Sequence, residues 1–445
     1  MGGMRVCGGA VMGARPTPPA LPFSADGLAR ALDERALVPA VAAAGGSSPS
    51  WDPVPHVRNA LRGGVAPEWA EVVCARLASV AAARRGDARA AYDAAAEEVP
   101  PFLKLFRDDM DAWLVDPLRA LARRLRCAAA AADAAGAGAG ARCLENCGTQ
   151  LQKCFAASMQ GAGEGMRVCG TGRQRVAAPP FQPSHHPLLP SPGNKAKKLA
   201  ALDIVVTLFR AYFALNTLRL CKNLIAAVGS RQFPPFDAFP ASQRVTYKYF
   251  TGRLAIFDEA YEEADADLSY AFSHCPRSAT SNRARVAFFL VPVRLLRGRL
   301  PAPTLLAECG LQDDYGPIVE AVRSGSLSQL DTVLAARQWR YVAAGTYLLL
   351  EKLRPAVARR LVKKTAALHA AADPPRAAQL PLAHLAAALA WQGAPADDDA
   401  VECLVAGLVF RRYVKGYIAH KSRVLVLSKA DPFPPLDTVA LADPL

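Results

Sequence analysis

The sequence lacks a long uninterrupted apolar run. Its best stretch, Leu199 to Leu220, is broken by Asp203, Arg210 and Arg219, whereas a bilayer-spanning helix needs about 20 mostly apolar residues. A buried helix is expected there instead. Histidine is scarce, at seven in 445 residues, and no His-x-His or His-Glu-x-x-His occurs. There is no Gly-x-x-x-x-Gly-Lys-Ser/Thr loop and no Gly-x-Ser-x-Gly elbow. The zinc-hydrolase, P-loop and α/β-hydrolase chemistries therefore have no footing. The glycines of Gly136–Gly140 follow no strand, which excludes a dinucleotide fold. No catalytic residue, cofactor site or metal site is expected, and the chain reads as non-enzymatic.

Acids are also in short supply. Asp and Glu number 39 against 53 Lys and Arg, a net charge of +14, which suits a polyanionic or acidic partner. The eleven cysteines are odd in number and scattered, unlike a disulfide scaffold. Cys143, Cys147 and Cys154 lie four and seven apart on one helical face with no histidine nearby. They read as buried thiols in a reduced, intracellular protein. The first residues, Met1–Ser24, have no continuous apolar segment, so secretion is not expected. Val6 stands where a myristoylation motif needs Ser or Thr.

What is present is helical periodicity. Trp69, Val72, Val73, Leu77 and Val80 follow the 3–4 spacing of an amphipathic helix, continued by Phe102, Leu103, Phe106, Met110, Trp113, Leu114 and Leu118. Ala128–Ala141, Ala and Gly apart from Asp133, reads as a break or loop. Tyr247, Phe250, Leu254, Phe257 and Tyr261 predict a buried stripe, with a second helix through Leu268 and Phe272. Gly252, Ala264, Ala271 and Pro276 fall at the small-residue and terminating positions of a tetratricopeptide-like hairpin. Further hairpins are expected at Phe288–Leu296, Ile318–Val322 and Leu327–Leu334, stacking into a solenoid. Helices are also expected at Gly345–Leu353 and Val357–His369, then Leu380–Trp391 and Asp397–Phe410 with a Gly393-Ala394-Pro395 turn. The β-runs Val414–His420 and Val424–Ser428 then complete the order of a winged helix.

The fold class is thus mainly α: a tetratricopeptide-like helical repeat solenoid followed by a C-terminal winged helix. The expected divisions are a disordered tail over 1–50, helical repeats over 51–160, a disordered insertion over 161–193, further repeats over 194–343, the winged helix over 344–432 and a tail over 433–445. The insertion is marked by Gly165–Gly170, which repeats Gly3–Gly8 letter for letter. Between Ala335 and Ala430 fifteen Lys and Arg face six acids, concentrating the positive charge there. Arg359, Arg360, Lys363 and Lys364 are expected to share a face of one helix, while Arg411, Arg412, Lys415, Lys421 and Arg423 surround the β-ribbon. These nine are the candidate nucleic-acid-binding residues, through phosphate contacts that read no sequence. Asp397, Asp398 and Asp399 stand where a recognition helix meets phosphates. Contact is therefore expected through the helix flank and wing, favouring RNA or non-specific binding.

The run QRVTYKYFTGRLAIFDEAYEEADADLSYAFSHC over 243–275 resembles PCI-domain proteins. So do FFLVPVRLLRGRLP over 288–301, IVEAVRSGSL over 318–327, YLLLEKL over 347–353 and VECLVAGLVFRRYVKGYIAHKSRVLVLSKADPFPPL over 401–436. The last run is similar to the mRNA-export branch of that family, with a signalosome-associated PCI subunit as the next relative. The resemblance covers 195–437 well, 67–160 faintly, and not 1–50 or 161–193. It implies a PCI domain and membership of a nuclear-pore-associated, transcription-coupled mRNA-export complex. Its implied partners are a large scaffold subunit, a small acidic subunit shared with the proteasome lid, and RNA, or DNA without sequence preference, with no membrane insertion. Residence is implied in the nucleus at the envelope side of the pore, with the cytoplasm as a second location. Arg360, Lys363 and Lys364 match the family's basic run on the first winged-helix helix, and Lys415 and Gly416 its Lys-Gly-Tyr-Ile strand. Lys421-Ser422-Arg423 at the wing tip and the linker Pro374–Ala378 depart from the family pattern. The alternative is a protein–protein scaffold of a signalosome- or proteasome-lid-type assembly without nucleic-acid binding. A lid-type metalloprotease is excluded by the missing His-x-His.

Overall fold

The computed structural model describes residues 67–108, 114–136, 142–160 and 192–439. The tail over 1–50, the repeated hexapeptides, nearly all of 161–193, and Met110 and Trp113 lie outside the described residues. The chain divides into two compact units at Phe239 and Pro240, so the helices from Pro192 to Val228 belong with the first.

Among the described residues of the first unit the helices are α1 (Pro67–Arg84), α2 (Ala88–Glu97), α3 (Val99–Asp108), α4 (Val115–Ala135), α5 (Cys143–Met159), α6 (Pro192–Lys198), α7 (Ala201–Ala214) and α8 (Arg219–Val228). The stripe Trp69, Val72, Val73 and Leu77 is buried on α1. The first part of the Ala-rich run is no break: α4 continues to Ala135, as alanine's helix propensity favours, while residues 137–141 lie outside the described residues. The run's lone acid, Asp133, accepts from the Cys143 and Leu144 N–H groups at 2.9 and 3.0 Å, capping α5 from the neighbouring helix. Burial pushes the Cys147 and Cys154 thiols up to about 12 and raises that of Cys143 as well, so all three stay protonated at neutral pH. The apolar stretch from Leu199 makes the largely buried α7 but ends at Ala214, where Asn216 turns to a φ of 56°. No described helix is long and apolar enough to cross a membrane. Glu98 is fully buried between Arg76, at 3.1 Å, and Arg124.

The second unit opens with α9 (Ala241–Phe257) and α10 (Tyr261–His274), a hairpin set by Gly252. A Cβ there would stand 2.7 Å from Leu268 Cγ, so only glycine permits this approach. The expected stripe breaks after Leu254, because Glu259 reverses the chain at a φ of 59°. Phe257 is 45% exposed, and Tyr261 begins the next helix. Gly252→Val is expected to cost about 2 kcal/mol through overpacking. Gly407→Ala, in a helix with open space around it, should instead gain roughly 0.5–1 kcal/mol of helix propensity. Urea midpoints of the two variants moving in opposite directions would verify both.

The solenoid continues through α11 (Thr280–Leu296), α12 (Pro303–Glu308), α13 (Gln312–Ser324), α14 (Leu327–Ala336), α15 (Gln338–Ala344) and α16 (Tyr347–Glu351). Buried carboxylates tie successive hairpins together. Asp265 accepts from Arg294, Arg297 and Arg299, and Asp314 from Arg337 and Arg340. Gly345, at a φ of 76°, splits the helix expected over Gly345–Leu353 from the one before it.

The chain then forms α17 (Arg354–Ala372), β1 (Gln379–Pro381), α18 (Leu382–Trp391), α19 (Asp398–Phe410), β2 (Gly416–Ala419) and β3 (Val424–Leu427). This is a winged helix with one strand more than the sequence suggested. Gln379–Pro381 is not the start of α18; it pairs antiparallel with β3, giving a three-stranded sheet in the order β1-β3-β2. Leu380 and Leu425 are buried on its inner face, with Ile418 packed beside them. One apolar cluster runs from Ala255 to Val439 through both solenoid and winged helix. The Gln392 side chain accepts from Leu327 N–H and donates to the Gly325 carbonyl, both at 3.1 Å. Gly325 has a φ of +81°, and a Cβ there would lie 2.7 Å from Leu361 N. The segment after Pro432 is not a free tail: Val439 is buried and Leu436 packs under Gly298.

Candidate nucleic-acid interface

Helix α17 presents its four basic residues as two stripes, because residues four apart share a side and adjacent ones do not. Arg359 and Lys363 form one stripe, Arg360 and Lys364 the other. Arg359 does not belong to the exposed surface expected of it. It is 8% exposed, and its guanidinium donates to the carbonyls of Tyr413 at 3.2 Å, Phe433 at 3.0 Å and Pro434 at 2.6 Å. Burial, with the neighbouring Arg360 charge, lowers its pKa. It is a structural clasp, drawn inward because three carbonyls need donors there. Arg360 Nε donates to the Arg323 carbonyl at 3.2 Å, toward the last solenoid hairpin. Lys363 and Lys364 are exposed, with no carboxylate partner among the described residues.

Around the sheet, Arg411 ends α19 and the exposed Arg412 follows in the left-handed region at a φ of 61°. Lys415 Nζ lies 3.3 Å from Asp431. Its N–H donates to the Pro432 carbonyl at 2.9 Å, and Lys363 Nζ stands 5.9 Å from the Phe433 ring. The segment Asp431–Phe433 therefore brings Lys363 and Lys415 to one place. Sequence spacing gave no sign of this role, and Asp431, at a φ of 46°, turns the chain just before Pro432. Lys421 is exposed at the wing tip.

Arg423 is held back from the wing tip. Its guanidinium pairs with Asp399 at 3.0 Å and lies 3.6 Å from Glu402, while His420 Nδ1 is 2.7 Å from Glu402 Oε1. The hydrogen bond to Asp399 raises the Arg423 pKa. Asp397 caps α19, accepting from Ala400 N–H at 2.7 Å. The N-terminus of the recognition-position helix is thus filled by its own carboxylates and by wing cations, and no phosphate meets it favourably. Of the nine candidates, Lys363 and Lys364 of α17, Arg412 and Lys421 are exposed with no carboxylate partner among the described residues. No group of three or more His, Cys, Asp or Glu able to hold a metal occurs among the described residues.

No family model matches the sequence. Among curated proteins it is 41% identical over 245 residues to Enhanced ethylene response protein 5 of Arabidopsis thaliana, covering 55% of this chain and 59% of that one. It is 34% identical over 258 residues to the Protein CSN12 homolog of Mycosarcoma maydis, covering 56% and 57% respectively. In those alignments the chain spans little more than half of each relative's length. With PCI domain-containing protein 2 of Danio rerio it is 32% identical over 380 residues, 84% of this chain and 86% of the relative. Sustained over that length, and joined to a helical-repeat-plus-winged-helix fold, this identity shows that the chain belongs to the family of PCI domain-containing protein 2.

Proposed function

We propose that this PCI scaffold subunit serves a transcription-coupled mRNA-export complex at the nuclear pore, working in the nucleus and carrying no catalytic site. Its helical repeats engage a large scaffold subunit and a small acidic subunit, and its winged helix contributes basic contacts to RNA. The observation that carries the RNA reading is the exposure of both Lys363 and Lys364 on α17, with no carboxylate partner among the described residues. Exposed lysines left without a carboxylate partner raise the local positive potential, and a phosphate backbone neutralises it. The CSN12 relative favours a second reading, in which the same face meets acidic protein in a signalosome-type assembly.

The test titrates the full chain against a fluorescent single-stranded RNA over a range of salt. Lys363→Glu with Lys364→Glu is expected to weaken binding roughly tenfold or more and to flatten the salt slope by about two, with partner assembly intact. RNA affinity unchanged while assembly fails would establish the second reading instead.

A further inference from the structure

We propose that the outer face of the winged-helix sheet is a stacking platform for the unpaired bases of single-stranded nucleic acid, centred on Tyr417. The inference rests on the reading above that the winged helix binds nucleic acid, and it specifies the substrate class.

Side chains alternate across a strand, so with Leu380, Leu425 and Ile418 turned inward, their neighbours face solvent. The register sets Gln379, Val426 and Tyr417 in one row and Pro381, Val424 and Ala419 in the next. Not one of these six positions carries a charge, and Tyr417 is 63% exposed. An exposed aromatic among half-buried valines on a strand face is an apolar surface left open by the described residues.

The rim of that face is cationic. Exposed Arg376 precedes β1, Lys421 lies between β2 and β3, and Lys429 follows β3, while Lys415 before β2 is paired with Asp431. From Cys403 to Ala430 the sequence holds no acid at all. An uncharged aromatic centre bordered by cations is complementary to a single strand, whose bases expose π-faces while its phosphates remain outside. A duplex hides its base faces. Its other route onto a winged helix, the N-terminus of α19 in a groove, is occupied by Asp397, Asp399 and Glu402. The two observations independently select the unpaired form.

The experiment compares the full chain with Tyr417→Ala and Tyr417→Phe, using a labelled 20-nucleotide oligouridine and a blunt RNA duplex of about the same length. Tyr417→Ala should weaken single-strand binding roughly five- to a hundredfold, leave the duplex affinity and the salt slope unchanged, and be rescued by Tyr417→Phe. Equal losses on both RNAs, or no loss on either, would overturn the platform while leaving a purely ionic RNA surface in place. Unchanged RNA affinity together with loss of a co-purifying protein would assign the face to protein. If the wild-type chain binds neither RNA at low salt, the reading of the winged helix as a nucleic-acid module fails first, and the platform with it. Thermal midpoints of the variants within a degree or so of wild type guard against misfolding, as expected for an exposed side chain.

Discussion

Arg359→Ala is expected to destabilise the second unit by about 3–5 kcal/mol, because it strips charged donors from three carbonyls in a buried setting. Those carbonyls belong to Tyr413, Phe433 and Pro434. The first follows the recognition-position helix and the others lie beyond the wing, so the variant should loosen both together. Arg359→Lys should recover only part of the loss, since an ammonium lacks the planar fork that reaches several acceptors at once. For a unit of this size the loss corresponds to a melting shift of roughly 10 °C. A variant as stable as wild type but weakened in RNA binding would return Arg359 to the interface from which its burial removes it.

A comparable loss is expected in the first unit from Glu98→Gln. The Glu98 carboxylate is fully buried and neutralises Arg76, itself 1% exposed, while also binding Arg124. Neutralising the carboxylate removes the buried charge that Arg76 and Arg124 share, at about 3–5 kcal/mol. Replacing Arg76 and Glu98 together by leucine should recover much of that, because apolar pairs of similar volume substitute well for buried ions. Urea unfolding of the single and double variants supplies the check. A single variant costing no more than the double would mean that the Arg76 guanidinium does not depend on the Glu98 charge.

The helical grammar was legible where one face is buried throughout. Trp69, Val72, Val73 and Leu77 fell on the inner side of α1, and Gly252 marked the close crossing of α9 and α10. Legibility failed where the deciding interaction is distant in sequence or has no signal residue. The turn at Glu259 uses a non-glycine at positive φ, so a 3-4-3-4 count ran straight through it. Strand β1 has three residues, too few for a period-2 pattern, and exists because Val424–Val426 pairs with it. The Ala-rich stretch looked like a linker by composition, yet alanine is also the best helix former, and Asp133 gave it a capping task.

The candidate site divides in the same way. Lys363 and Lys364 sit on a helix whose period was plain, and their exposure followed from it. The burial of Arg359 was hidden because its acceptors come 54 to 75 residues later. The pairing of Arg423 with Asp399 was equally out of reach of local spacing, although both residues had been singled out separately. Charge counting located the basic region correctly but could not tell which cations were already engaged.

The unbroken core from Ala255 to Val439 gives the winged helix a second duty, as the end-cap of the repeat stack. Solenoids need a terminal element that closes the last apolar face, and here the Gln392 amide and the glycine contact at Leu361 fasten that closure. The module therefore cannot be exchanged for another of different specificity without exposing the stack beneath it. Substitutions that alter what this end of the molecule recognises without opening the stack are consequently those at outward-facing positions, such as Lys363, Lys364, Tyr417 and Lys421. Exchange there costs little stability, while exchange in the inward set, Arg359 among it, costs the closure itself.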